Sequence, residues 1–280
     1  VWLICNGEIY NYRMLVNLNS FDYQTNSDCE VIIHMYLRHG IEKTCQMLDG
    51  VFAFVLYDEN KDIVYVARDH LGIRPLYIGR EKTGGIAFAS EAKSLTFMNN
   101  IEQFPPRTIW NNKDDTFKTY YEFPTKLNND SEEDVCDLIR GYLTEAIRKR
   151  FTMSDVEVGC LLSGGLDSSI VTSICSRMLD SPSRLKTFSI GLKGSPDLLN
   201  AQVVADYLRT NHYSYEVTEE EFIKAIDETI YCLGTYDITT IRASVGHILV
   251  SRYVSRDTNV KVLFSGEVAD ELGSYLYFMN

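Results

Sequence analysis

From residue 156 onward, short apolar runs alternate with amphipathic stretches, and that alternation constrains the fold more than any other feature of the 280 residues. The order is a strand over 156–162, a helix over 168–179, a strand over 185–190, a helix over 197–209, a strand over 213–217, helices from Glu219 and from Ile241, and a strand over 260–264. Strand and helix in succession predict a parallel, doubly wound α/β sheet. In such a sheet ligands bind beyond the carboxyl ends of the strands, near the point where the strand order reverses.

The first part of the chain has another rhythm. Apolar runs at 51–57 and 63–67, joined by a polar turn, predict a β-hairpin. A second antiparallel pair is predicted at 76–78 and 86–89, across Gly84-Gly85. Ser27-Asp28-Cys29-Glu30 has the form of a capping box opening a helix that stops near Gly40. The expected organisation is therefore an antiparallel β-rich domain over 1–123, a polar linker at 124–130, and the parallel domain over 131–280, which begins with a long helix capped by Ser131 and Asp134 and running to about Arg150.

Composition narrows the partners. A formal net charge of −12 repels a phosphate backbone, which argues against nucleic acid. No apolar run approaches the ~20 residues of a membrane helix. The seven cysteines are odd in number, scattered and without a CxxC pair, which suits a reducing, cytoplasmic setting better than disulfides or zinc. The chain starts on Val1 and shows no leader-like segment, so an incomplete reading frame is expected.

The strand ends carry the chemistry. After the first strand comes Ser163-Gly164-Gly165-Leu166-Asp167-Ser168-Ser169, and after the last Ser265-Gly266-Glu267. The two glycines permit a tight turn with exposed amides, and the helix that follows presents unpaired N–H groups and a positive dipole end to an anionic phosphate. Ser163, Ser168 and Ser169 add hydroxyls. Asp167 would repel a bare phosphate, and its presence makes sense with Mg²⁺ between them.

The stretch Leu162 to Ser169 resembles the pyrophosphate-binding loop of the ATP pyrophosphatases; it lacks the Lys of a Walker A motif. With Phe188 to Leu192, Gly194 to Leu198 and Thr235-Tyr236-Asp237-Ile238-Thr239-Thr240-Ile241-Arg242-Ala243-Ser244, the whole chain resembles the glutamine-hydrolysing asparagine synthetases, lacking the start of the first domain and the end of the second. The first half adds Asn6-Gly7-Glu8-Ile9-Tyr10-Asn11, similar to the class II glutaminase segment, together with Asp28, the run Arg68 to Tyr77, and Ala89-Ser90-Glu91.

This resemblance implies an Ntn-hydrolase-like first domain and a carbon–nitrogen ligase that activates aspartate as β-aspartyl-AMP and then admits ammonia from glutamine. It implies ATP contacts at Leu162, Ser163, Gly164, Gly165, Asp167, Ser168, Ser169, Ile190, Ser265 and Gly266, with Leu162 and Ile190 meeting the adenine through backbone groups and Mg²⁺ on Asp167 and Asp270. Thr239, Thr240 and Arg242 would surround the adenylate, and Glu267 would stand beside it where ammonia attacks. Asn6 and Gly7 would form an oxyanion hole, and Glu8 with Asp28 would hold the amino-acid end of glutamine. The implied partners are the small molecules aspartate, glutamine or ammonia, and ATP; a homodimer stays open.

The chain departs from the family in three places. The family's nucleophile is an N-terminal Cys whose own amine acts as base; Cys5 is internal, so these 280 residues are expected to hydrolyse no glutamine by themselves. Val268-Ala269 stands where the family has Gly-Ser, and one residue is missing after Glu271. Two other readings therefore stay open: a related synthetase acting on another carboxylate, such as a β-lactam-forming one, and a non-catalytic paralogue that keeps the fold.

Overall fold

The computed structural model describes residues 1–124, 130–267 and 269, and the chain divides into two compact units, Val1–Asn128 and Asn129–Asn280. The first contains β1 (Trp2–Ile9), α1 (Tyr12–Asn19), α2 (Glu30–His39), α3 (Ile41–Met47), β2 (Gly50–Asp58), β3 (Ile63–Arg68), β4 (Tyr77–Arg80), β5 (Ile86–Ala89), β6 (Asn100–Gln103), β7 (Thr108–Asn111) and β8 (Phe117–Thr119). A five-stranded antiparallel sheet runs β1-β2-β3-β7-β8, and a three-stranded one runs β5-β4-β6.

Both expected antiparallel pairs are present, and packing explains the unbroken apolar run of the first. Phe52, Phe54 and Leu56 on one face of β2 join Ile9, Leu15, Val31, Ile32 and Met35 in a core under the helices. Ala53 and Val55, on the other face, belong to a second cluster with Val66, Ile78, Phe104 and Trp110. A strand covered on both faces has no need of polar alternation. Edge strand β1, by contrast, alternates cleanly: Leu3, Cys5, Gly7 and Ile9 face inward, while Trp2, Ile4, Asn6 and Glu8 are exposed.

The capping box expected at Ser27 does not form. Helix α2 has Cys29 as its N-cap, with no side-chain cap. Glu30 reaches back past Ser27 to the N–H groups of Gln24 and Thr25, both at 2.6 Å, and to the Thr25 hydroxyl. Asp28 is drawn away to β1. The helix ends as expected at Gly40, whose φ of +77° is open to glycine and whose N–H reaches Tyr36 O.

The second unit contains α4 (Glu132–Met153), β9 (Val158–Leu161), α5 (Leu166–Arg177), β10 (Lys186–Leu192), α6 (Pro196–Leu208), β11 (Asn211–Val217), α7 (Glu219–Lys224), α8 (Ile226–Leu233), α9 (Ile238–Asp257) and β12 (Val262–Phe264). All its pairings are parallel, in the order β11-β10-β9-β12. One face packs Phe264 against Ile147, Cys175 and Leu185, and the other packs Phe188 against Val250 and Val254. The doubly wound architecture is therefore present.

The order places the reversal between β9 and β12. Their carboxyl ends carry Ser163–Ser169 and Ser265–Glu267. Three helices follow β11 instead of two, because the stretch expected as one helix from Glu219 breaks at Ala225, which ends α7 and precedes α8; Gly234 in the left-handed conformation then closes α8 and Asp237 caps α9. No helix among the described residues is long and apolar enough to cross a membrane. Most of the linker expected at 124–130 lies outside the described residues, as do Val268 and Asp270.

Candidate functional site

In the first unit the four residues expected around glutamine are gathered at one end of β1. Asn6-Gly7 lies in mid-strand, where Gly7 pairs with Phe52, so the hairpin turn that Asn-Gly often makes is absent here. A Cβ on Gly7 would stand 2.5 Å from Val51 O and 2.9 Å from Phe52 Cα, a contact that only glycine avoids. Asn6 and Glu8, two residues apart, share the exposed face. The Asn6 amide donates to Ser90 Oγ at 3.5 Å, which brings the Ala89–Glu91 segment to the strand. Asp28 Oδ2 accepts a short hydrogen bond from Ile9 N–H, directly beside Glu8.

Cys5 faces inward. A hydrogen bond to Cys29, then burial, holds its thiol far above the ordinary range, the opposite of what a nucleophile needs.

The run Arg68 to Tyr77, a mark of the family resemblance, is a structural device in the fold. Arg68 is 3 % exposed, and its guanidinium donates to three carbonyls, those of Arg74 at 2.7 Å, Phe104 at 2.6 Å and Gly72 at 2.7 Å. Burial, largest, lowers its pKa while the neighbouring Asp69 raises it. Asp69 in turn accepts from the N–H groups of Phe52, Leu71, Ile73 and Arg74. Together the pair satisfies the backbone of a buried loop and ties it to β2.

In the second unit the turn after β9 is tight because Gly164 has φ +80° and sits against α6, where a Cβ would meet Asn200 backbone carbon at 2.5 Å. Its hydroxyls bond within the loop: Ser163 Oγ lies 3.0 Å from Ser168 Oγ, Ser168 Oγ accepts from Ser163 N–H at 3.2 Å, and Ser169 Oγ donates to Gly165 O at 2.6 Å. Helix α5 starts at Leu166, two residues earlier than its pattern suggests, so Asp167 and Ser168 stand in its first turn. Its N-cap, Gly165, supplies no side chain, whereas Ser131, Ser195, Thr218 and Asp237 cap α4, α6, α7 and α9. The leading N–H groups of α5 thus have no side-chain acceptor, the arrangement that suits an anion.

The loop after β12 meets this turn. A Cβ on Gly266 would stand 2.7 Å from Ser168 N and 2.9 Å from Asp167 Cβ. Glu267 is exposed, and its Oε1 lies 3.5 Å from His247 Nε2 of α9. The sequence offered no signal for His247, which sits at mid-helix and reaches Glu267 only through the fold.

The remaining expected residues are placed as follows. Leu162 is buried against Ala201 and Ala205, and its N–H is occupied by Phe188 O at 2.8 Å, which leaves only its carbonyl for an adenine. Ile190 packs toward α9. Thr239, Thr240 and Arg242 lie exposed in the first two turns of α9. The Thr240 hydroxyl and N–H both donate to Asp237 at 2.7 Å, and these bonds hold the Asp237 carboxyl below its ordinary range. Thr240 therefore serves the helix cap. Asp167 offers a hard oxygen donor beside the open N–H groups; its expected companion Asp270 lies outside the described residues, among which no group of three or more metal-ligating side chains is gathered.

Comparison with known proteins follows the same two units. A family profile described as asparagine synthase matches residues 138–279, and one described as a glutamine amidotransferase domain matches 1–135. The asparagine synthetase [glutamine-hydrolyzing] of Rattus norvegicus is 42% identical over 309 residues, covering 99% of this chain and 55% of its own length. Asparagine synthetase [glutamine-hydrolyzing] 3 of Arabidopsis thaliana is 46% identical over 287 residues, covering 98% and 49%. The chain spans about half the length of the curated relatives it matches. Among solved structures, a glutamine phosphoribosylpyrophosphate amidotransferase from B. subtilis aligns with 98% of this chain and 73% of its own at a TM-score of 0.40 and 16% identity, a likeness too slight to carry weight.

Proposed function

The chain belongs to the asparagine synthase family, and from that premise we propose that the protein makes asparagine from aspartate, ATP and ammonia released from glutamine. The observation that carries this proposal is the meeting of two loops at the sheet's switch point: Gly266 against Asp167 and Ser168, beside a helix start with no side-chain cap. Such a place binds a polyanion through backbone N–H groups and brings the residue after Gly266 to it.

In the proposed reaction the aspartate side-chain carboxylate attacks the α-phosphorus of ATP, the bond to pyrophosphate breaks, and ammonia then displaces AMP from the acyl adenylate. The amides and hydroxyls of Ser163–Ser169 accept the charge that gathers on the departing pyrophosphate, where stabilisation lowers the barrier most. Asp167 is the described residue that fits Mg²⁺, which when bound would neutralise part of that charge. Thr239 and Arg242 stand on α9, the helix that also touches Glu267 through His247, so Arg242 is the cation suited to aspartate and Glu267 the carboxylate suited to receive a proton from attacking ammonia.

For the first unit we propose the glutamine-handling role. Asn6 and Gly7 would stabilise the oxyanion, and Glu8 and Asp28 would hold the α-amino group; the support is their assembly at one end of β1. A cytoplasmic setting is proposed on the scattered thiols.

The test is isotope exchange between pyrophosphate and ATP in the purified protein. Exchange that requires aspartate is the expected result. Exchange with glutamate or a β-amino acid in place of aspartate would overturn the choice of substrate, and nucleotide binding without any exchange would favour a non-catalytic paralogue.

A further inference from the structure

Helix α2 starts without a side-chain cap at its N-cap residue, yet its first turn is held from outside by Tyr23. The Tyr23 hydroxyl accepts from Val31 N–H at 3.0 Å and donates toward two carbonyls, Ser27 O at 2.8 Å and Asp28 O at 3.0 Å. Within the turn itself Val31 N–H reaches Asp28 O at only 3.4 Å, so the phenol is its better partner. Burial, the largest cause, raises the pKa of the phenol, which therefore keeps the proton it donates. Its ring is fixed as well, stacked 6.1 Å from Tyr12 and 5.8 Å from His34. One hydroxyl thus ties together the backbone on both sides of Asp28.

The middle of the same loop is fastened separately, by Glu30 at Gln24 and Thr25. Beside these two fastenings Asp28 turns its carboxylate to β1, where Ile9 N–H and Cys29 Sγ both meet Oδ2. That makes Oδ1 the oxygen suited to the α-ammonium of a bound amino acid. A charge-assisted hydrogen bond is short, so a small drift of the Asp28 main chain weakens it.

We propose that Tyr23 is a positioning residue for glutamine: its hydroxyl fixes the Asp28 main chain so that the carboxylate stands ready for the α-ammonium, and this makes Tyr23 a determinant of selectivity for ligands that carry one. Tyr23 acts through Asp28. The part concerning glutamine rests on the function proposed above; the hold of Tyr23 on Asp28 does not.

Tyr23→Phe isolates the hydroxyl, because the ring and its stacking remain. In the purified protein and this variant, calorimetry measures the affinity for glutamine and for glutaramate, which is glutamine without its α-amino group, and hydrogen exchange follows the Ile9 amide that Asp28 holds. In Tyr23→Phe glutamine should bind about fivefold more weakly, the worth of about one neutral hydrogen bond, while glutaramate binds as before and Ile9 exchanges faster. A merely structural role would weaken both ligands alike, and that result would overturn the proposal, as would a glutamine affinity equal to that of the wild type. Asp28→Asn tests the reading of the site separately. Glutamine binding that survives Asp28→Asn, or a wild type that binds no glutamine, would count against the glutaminase assignment. Ile9 would then still decide for Tyr23: faster exchange in Tyr23→Phe establishes its hold on Asp28, and unchanged exchange removes it.

Discussion

Around Asn6, Gly7 and Asp28 the contacts come from far along the chain: Ile9 meets Asp28 across 19 residues and Asn6 meets Ser90 across 84. Around Ser163–Ser169 the hydrogen bonds close within five residues. The first arrangement is preformed, because β2 presses on Gly7 and buried Arg68 and Asp69 lock the adjoining loop. The second can exchange its internal hydroxyl bonds for those of a ligand without disturbing the sheet. One unit spends its stability on holding side chains at fixed places on a strand. The other places a helix start and lets the ligand complete it.

Substitutions can break this contrast. Gly164→Ala is expected to have the largest effect, about 4 kcal/mol, because it adds a clash with Asn200 backbone to the cost of a positive φ. Gly7→Ala, which clashes with β2 but has no strained φ, should cost about 3 kcal/mol. Thermal unfolding followed in each half, by hydrogen exchange of its own strands, should locate the first loss in the parallel unit and the second in the antiparallel one. Arg68→Met leaves three carbonyls without their donor and should destabilise the antiparallel unit by about 2 kcal/mol. Denaturant titration checks it, and a loss below about 0.5 kcal/mol would mean that water replaces the guanidinium and that the loop is less locked than described.

The contrast can also be sharpened by acid. Burial alone would raise the Glu30 carboxyl, but hydrogen bonds from Thr25, Gln24 and His34 outweigh it and bring the pKa to about 2. Because this lies below the unfolded carboxyl's ~4.3, Glu30 contributes stability that is fully present above that pH and lost as pH falls toward 2. Wild type and Glu30→Gln should therefore differ in melting temperature at pH 6 and converge near pH 2. A difference that persists at pH 2 would assign Glu30 a packing role only. The smallest expected effect on stability belongs to Asp167→Asn, under about 1 kcal/mol for a half-buried first-turn carboxylate. The same change should weaken metal-dependent ATP binding by about tenfold, measured by calorimetry with and without Mg²⁺. Equal loss of binding and folding would make Asp167 a structural residue.

Legibility followed the range of the interactions. The Ser163–Ser169 turn could be read directly because its glycines, hydroxyls and helix start are contiguous and act on one another. The two antiparallel hairpins were likewise readable, as short apolar runs flanking short polar turns. Ser27-Asp28-Cys29-Glu30 misled, since a motif of four residues cannot reveal that Asp28 is claimed by Ile9 and Glu30 by Gln24 and Thr25. Arg68 and Asp69, legible only as part of the run that carries the family resemblance, are buried scaffolding in the fold.

By itself, then, the sequence determined the class of each unit, through hydrophobic period, and the place of the phosphate-side loop, through glycine and serine at a strand end. Tertiary structure alone decided that β12 returns beside β9, which sets Gly266 against Asp167 and Glu267 within reach of His247. It also decided that Cys29 sits behind Gly7. The reason is that local pattern records which face of an element is buried, while the partner that buries it is chosen by packing among segments far apart in the chain.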